Sequence, residues 1–267
     1  GYVGTLDPLA SGFLPIALGK STKTIKYLAD SDKEYVFEVT WGIHSSTGDL
    51  EGNIKRIDKK FPSLKQIRNT FKNFIGDYHQ APHKFSSKKV NGKKAYEFAR
   101  KKLQVDLKKE KKKISDLKII NQVSSSKTLF YVKCSSGTYI RSLTEDMAKT
   151  LNTFGVVSSL RRVGFSNLDK KLISLDYLTS LVHIESLLSI LKPIEKVFKE
   201  FKQIHLDMNE VALILDGRPV KMNAIKKKIN GFSGQPTLAK FKNELVAVGY
   251  LKDGNFYPKN LLNNFFV

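Results

Sequence analysis

The sequence predicts an α+β protein: a largely antiparallel mixed sheet with flanking helices, followed by a small β-rich module. Three observations carry this. Residues 33–41 alternate as a half-buried strand does, and 128–134 reads as another strand. Residues 63–75 and 140–151 repeat apolar side chains at helical spacing. Strands and helices do not alternate strictly, which disfavours a parallel βαβ arrangement.

The elements follow in order. Near the start, Gly4-Thr5-Leu6-Asp7-Pro8-Leu9-Ala10-Ser11-Gly12 holds one acid in a glycine-bounded loop. Pro8 disfavours a helical Asp7, and the glycines permit bends or close approach. A carboxylate held this way can serve as nucleophile or base. Asp-Pro is also common in type I turns for local reasons alone. In 33–41, Tyr35, Phe37, Val39 and Trp41 share one strand face, with Val36, Glu38 and Thr40 on the other. Residues 44–53, rich in Ser, Gly, Asp and Asn, read as a loop. Leu64, Ile67, Phe71 and Phe74 mark the next helix, and Asn91-Gly92 marks a tight turn. The strand at 128–134 ends at Ser135-Ser136-Gly137. A helix then starts near Thr138 as N-cap, burying Ile140, Leu143, Met147, Ala148 and Leu151. A helical stretch at about 174–200 leads to a second unit after residue 203. There, 211–215 reads as a strand, Asp216-Gly217-Arg218-Pro219 as a turn, 241–250 as a hairpin and 252–255 as its next turn.

With 267 residues the chain has room for one large domain or two smaller ones. Its 41% hydrophobic and 27% charged content is ordinary for a globular protein. The apolar run 13–18 is far too short to span a bilayer, and no secretory leader is visible. A cytoplasmic location without membrane association is therefore expected. One cysteine, Cys134, excludes an internal disulfide framework and a cysteine-rich zinc site.

Net charge is +21, which favours a polyanionic partner. A lysine-rich composition would spread that excess evenly. Instead, 84–113 holds 13 basic residues against Glu97, Asp106 and Glu110, with Phe85, Tyr96 and Phe98 interleaved. That pattern suits an arm on an RNA backbone.

Arg141 falls in the first turn of the helix after 138, where a cation opposes the helix dipole, and it borders the apolar stripe. A planar guanidinium there suits a bidentate carboxylate partner and favours that acid's ionised form. Spacing alone equally allows a phosphate contact or a surface arginine.

The loop around Asp7 resembles the catalytic-aspartate motif of the TruB family of tRNA pseudouridine synthases. Gly137-Thr138-Tyr139-Ile140-Arg141-Ser142-Leu143 resembles that family's second signature, Asp32-Lys33-Glu34-Tyr35 its third and Leu160-Arg161-Arg162 its fourth. The stretch Tyr78-His79-Gln80-Ala81-Pro82, continuing through Phe85-Ser86-Ser87-Lys88-Lys89-Val90-Asn91-Gly92-Lys93 to Ala95-Tyr96, resembles its RNA-gripping insertion. Gly249-Tyr250, Asp253-Gly254 and Pro258 resemble a PUA domain, a small RNA-binding β-barrel.

The resemblance implies a pseudouridine-synthase catalytic domain at 1–200, an insertion at about 78–113, and a PUA-like domain at 204–267. It implies isomerisation of uridine to pseudouridine in the tRNA T-loop, at tRNA position 55, with no cofactor or metal. The partner is the T-arm of tRNA, with no obligatory protein partner. Asp7 is the implied nucleophile and Arg141 its ion-pair partner. Tyr35 stacks on the base and assists proton transfer, or simply packs in the core. Tyr2, Tyr139 and Leu160 join Tyr35 around the substrate base. Lys23, Lys88, Lys89, Lys93, Lys94, Arg161 and Arg162 are the implied RNA contacts.

Two departures stand out. Tyr2 occupies the position where the family usually carries His, and a phenol cannot titrate near neutrality. The family's Lys-Pro motif and first strand are expected upstream of Gly1. Two other readings keep the same fold: a non-catalytic RNA-binding protein, and a relative that depends on a guide RNA.

Overall fold

The computed structural model describes residues 1–57, 61–103, 105–165, 168–169, 171–222 and 234–262. In chain order, β1 (Ala10–Gly12) is followed by a 3-10 turn, Gly19–Thr24, and α1 (Ile25–Ala29). The alternating stretch forms β2 (Lys33–Trp41), burying Phe37, Val39 and Trp41. Next, β3 (Ile43–Ser45) pairs with β4 (Ile54–Arg56), so a short ladder frames the loop 46–53. A capping box between Ser63 and Gln66 starts α2 (Leu64–Thr70), which tightens into a 3-10 turn at Phe71–Asn73. After β5 (Gly76–Gln80), β6 (Lys89–Val90) and β7 (Lys93–Lys94) make a two-residue hairpin. Its turn places Asn91 and Gly92 at φ 49° and 80°, as a primed turn requires.

The chain continues with α3 (Ala95–Arg100), the long hairpin of β8 (Glu110–Ser124) and β9 (Lys127–Cys134), α4 (Ile140–Thr150) and β10 (Gly155–Phe165). Three short helices follow: α5 (Leu175–Ser180), α6 (Ile184–Ser189) and α7 (Ile194–Val197). The last elements are β11 (Lys202–His205), α8 (Met208–Leu215), β12 (Val220–Lys221), β13 (Pro236–Phe241), β14 (Glu244–Lys252) and β15 (Asn255–Leu261).

The chain divides into two compact units. One comprises Thr5–Leu14 and Asp30–Leu172; the other comprises Gly1–Gly4, Pro15–Ala29 and Ile173–Val267. The first holds a six-stranded sheet in the order β1-β10-β2-β9-β8-β5. Only the β1–β10 pairing in it is parallel. Ile67 of α2 and Ile140, Leu143, Met147 and Ala148 of α4 cover one face of it, packing with Phe37, Val39, Trp41, Phe130 and Val132. Gly12 is required where β1 meets β10: its φ is 98°, and a Cβ would stand 2.2 Å from the Arg162 carbonyl oxygen.

The second unit holds a five-stranded sheet, β11-β13-β14-β15-β12, curled into a half-barrel. A register shift between Val248 and Gly249 bends β14 against β15. A Cβ on Gly249 would meet the Tyr257 carbonyl oxygen at 2.1 Å, so that approach needs glycine. Among the described residues, no helix is long and apolar enough to cross a membrane.

Two local expectations are corrected. The N-cap of α4 is Tyr139 rather than Thr138, whose hydroxyl instead donates back to the Ser135 carbonyl at 2.8 Å. Residues 211–215 are helical, not a strand. Asp207 and Glu210 form a capping box that starts α8, and Val211 and Ile214 are buried three residues apart. A short apolar run fits either period, and the cap upstream decides it.

Candidate active site

Local chain chemistry places each group. The Asp7 carbonyl accepts from Ala10 N–H at 2.8 Å, closing a β-turn with Pro8 at its second position. That turn leads into β1, so the Asp7 carboxylate sits at the sheet's edge, about one-third exposed. Arg141 is the second residue of α4, and its side chain is only 4% exposed. Gln80 fixes the start of α4. Its side chain accepts from Tyr139 N–H at 2.7 Å and donates to the Tyr139 carbonyl at 3.0 Å. Two turns on, the Tyr78 hydroxyl donates to Asp146. Strand alternation in β5 puts Tyr78 and Gln80 on the same buried face, so these two side chains tie β5 to α4.

The Arg141 guanidinium is nearly saturated. Its Nε donates to Asp7 Oδ2 at 2.9 Å. Its Nη1 donates to the Thr47 carbonyl at 3.1 Å and lies 3.5 Å from Asp49 Oδ2. Its Nη2 donates to the Phe85 carbonyl at 3.2 Å. A buried cation near a helix N-terminus is costly, and these acceptors compensate it. Asp49, itself 3% exposed at the side chain, accepts from the Thr47 hydroxyl and from Glu51 N–H at 3.1 Å. The Gly48 carbonyl accepts from Val157 N–H at 3.0 Å, which pins this loop to β10. One carboxylate of the pair is thus open and the other closed.

Tyr35, on β2, packs against the core. Burial pushes its hydroxyl up to about 12; Asp7 adds to that, while Arg162 pulls the other way. The phenol therefore stays protonated near neutrality and acts as a donor there, not as a base. Leu160 is buried on β10, in register with Phe37 of β2 and Ala10 of β1. Asp7, Arg141, Tyr35 and Leu160 all belong to the first compact unit.

Residues 1–140 match the N-terminal domain of the TruB family of pseudouridylate synthases. Curated relatives over nearly the whole chain include tRNA pseudouridine synthase B of Caulobacter vibrioides, 34% identical over 267 residues, covering 97% of this chain and 85% of the relative. The protein of the same name from Agrobacterium fabrum is 33% identical over 269 residues, covering 98% of this chain and 84% of that one. The chain belongs to the TruB family. Solved structures share its fold at 21–22% identity. An H/ACA RNP bound to a substrate RNA containing 2′-deoxyuridine aligns with a TM-score of 0.67 over 99% of this chain and 76% of that one. A Cbf5-Nop10-Gar1 complex aligns at 0.66, over 98% and 75%.

Within this TruB family chain, the other expected residues are dispersed. Tyr139 is half-buried at the cap of α4. Tyr2 is 56% exposed and Lys23 is exposed; both lie in the second compact unit. Lys89, Lys93 and Lys94 are exposed on the β6–β7 hairpin. Lys88 is paired with Glu110, which also binds Lys112 at 2.9 Å. Arg161 is exposed and donates to Ser11 Oγ at 3.3 Å. Arg162 is a correction. It is 1% exposed, donates from Nε to the Phe13 carbonyl at 2.6 Å, and stands over the Phe165 ring. Alternation along β10 turns Arg161 outward and Arg162 inward, so Arg162 is built into the sheet rather than offered to RNA.

Residue reading missed Asp49, Thr47 and His83. Their motif surroundings look like ordinary loop, and only the fold brings them to Arg141. The one available signal was Gly48, at φ 74°, where a Cβ would stand 2.9 Å from His83 Nε2 and 3.2 Å from Arg141 Cβ.

Proposed function

We propose that this chain isomerises uridine to pseudouridine in tRNA, at the T-loop uridine of tRNA position 55. The observation that carries the reading is the open Asp7 carboxylate held at 2.9 Å by a buried arginine, with Tyr35 and Leu160 on the neighbouring strands. A protein that only bound RNA would have no use for an aimed, partly exposed carboxylate on a buried cation. The relatives named tRNA pseudouridine synthase B support the substrate class.

The target base must leave the stack to be reached. Asp7 then attacks C1′, or removes the C2′ proton to give a glycal, as the N1–C1′ bond breaks. The detached uracil turns and C5 bonds to C1′ as the Asp7–C1′ bond breaks or, on the glycal route, as Asp7 returns its proton to C2′; the C5 proton is then lost to solvent and N1 takes one up. Arg141 keeps Asp7 aimed through this sequence. Tyr35 offers its protonated hydroxyl and ring to the base, Leu160 forms an apolar wall, and Tyr139 adds a further substrate contact. Residues 1–200 serve as the catalytic domain and 204–267 as a PUA-like RNA-binding domain. The exposed lysines of the β6–β7 hairpin, Lys88, Lys23 and Arg161 grip the T-arm. The chain works in the cytoplasm on bare tRNA, without cofactor or obligatory partner.

The test uses tRNA tritiated at uracil C5. The purified chain releases tritium on its own, and Asp7→Asn abolishes release while tRNA binding survives. A fully active Asp7→Asn protein overturns the assignment. Release only after adding a guide RNA would transfer it to the guided class.

A further inference from the structure

His83 lies just beyond β5 and is 3% exposed. Its Nδ1 accepts from Phe85 N–H at 3.2 Å and lies 3.3 Å from Arg141 Nη1. A backbone amide and a guanidinium can only donate. Nδ1 must therefore present its lone pair to both, and the ring proton must sit on Nε2. That Nε2 makes no hydrogen bond. It faces Glu145 Oε1, on the next turn of α4, at 3.6 Å. Burial acts to raise the Glu145 carboxyl and Lys149 and Lys84 act to lower it, and the balance falls below the usual carboxylate range. A negative charge there favours a ring that carries its proton on the Glu145 side.

The ring has little room to turn. Gly48 closes over Nε2, where a Cβ would be at 2.9 Å, and over Glu145 Oε1, where it would be at 3.2 Å. One edge of the imidazole is thus fixed against Glu145 and Gly48, and the other is fixed against Arg141. The far side of Arg141 Nη1 is set by the Thr47 carbonyl and Asp49. With Nη1 held between these groups, Nε is left facing Asp7 at 2.9 Å.

We propose that His83, as the neutral Nε2–H tautomer, is a positioning residue that aims the Arg141 guanidinium at Asp7. It touches no reacting atom and acts through Arg141 alone. The proposal rests on the isomerase reading above, and its test is arranged so that each can fail separately.

Three variants are compared by tritium release from C5-labelled tRNA, with kcat and KM measured separately. His83→Leu removes the acceptor. His83→Asn places an amide oxygen near the position of Nδ1, and His83→Gln places its amide near Nε2 instead. Loss of aim at a reacting pair costs rate, not RNA affinity, so His83→Leu lowers kcat about 10- to 100-fold and leaves KM within about two-fold. His83→Asn recovers most of kcat, and His83→Gln does not. Equal kcat in the Asn and Gln variants overturns the proposal, because that is what simple packing predicts. The same holds for a folded Leu variant with unchanged kcat, or for a loss carried wholly by KM. If the Leu variant does not fold, the Asn and Gln pair, both polar and amide-bearing, decides alone. No release from the unsubstituted chain is a different result, and it removes the isomerase reading itself.

Discussion

Arg162 is a full charge at a site 1% exposed, in an RNA-directed chain where most cations face water. Its Nε bond to the Phe13 carbonyl ties the end of β1 to β10, and its guanidinium lies 5.4 Å from the Phe165 ring centre. Lys33 approaches the same ring at 4.7 Å; burial first and Arg162 second push its pKa down to about 8. Two cations around one ring in one sheet imply a rigid local arrangement. Replacing Arg162 with Met keeps bulk but leaves the Phe13 carbonyl unpaired, at a cost of about 1–3 kcal/mol. Urea denaturation should show that as a lower midpoint with unchanged slope, and an unmoved midpoint would contradict it. A depressed lysine pKa also has a pH sign. Between about 8 and the ordinary lysine value of 10.5, the unfolded chain binds the extra proton, so the Lys33 contribution to stability rises with pH in that window.

At the scale of elements, the short strand β1 does more than its three residues suggest. Among the described residues its one strand partner is β10, through the pairs Ala10–Leu160, Ser11–Arg161 and Gly12–Arg162. It also ends the turn that presents Asp7. Gly12→Ala would set a methyl against a backbone oxygen at 2.2 Å in a conformation that L-residues avoid. The expected result is loss of the β1–β10 pairing. Hydrogen exchange should accelerate at Phe13 N–H, which donates to the Arg162 carbonyl at 2.8 Å, and tritium release should fall with it. Native protection at Phe13 in that variant would refute this account. Most elements were readable because their periods are clean: β2 alternates, α2 and α4 repeat at helical spacing, and Asn91-Gly92 makes its turn. The exception, α8, is a run where period carries no information and the cap carries all of it.

At the scale of the whole molecule, the charge of +21 is distributed with a purpose. Some of the basic segment also makes internal pairs: Lys88 and Lys112 share Glu110, and Lys111 pairs with Asp77 at 2.8 Å. Lys89, Lys93 and Lys94 remain exposed on a hairpin tip whose turn geometry holds them outward. Replacing all three by Ala should weaken tRNA binding at every sequence tested. It should also reduce the slope of log affinity against log salt by roughly 2–3, about one for each phosphate no longer neutralised. An unchanged slope would show that these lysines meet no phosphate.

The sequence by itself determined the class of the fold, and its resemblance to the TruB signatures named Asp7 and Arg141 as an ion pair. Asp7 and Arg141 lie 134 residues apart, and each sits in a local string that resembles a TruB signature. Strand and helix periods are local properties, and they survive without tertiary information. What only the tertiary structure decided is how that pair is held. Asp49, Thr47, Phe85 and His83 converge on one guanidinium from separate loops, and no local pattern marks a residue as the neighbour of another far along the chain. The same reason moved Arg162 from the RNA face to the interior. Its type announced a cation, but only the pleat of β10 decided which way it points.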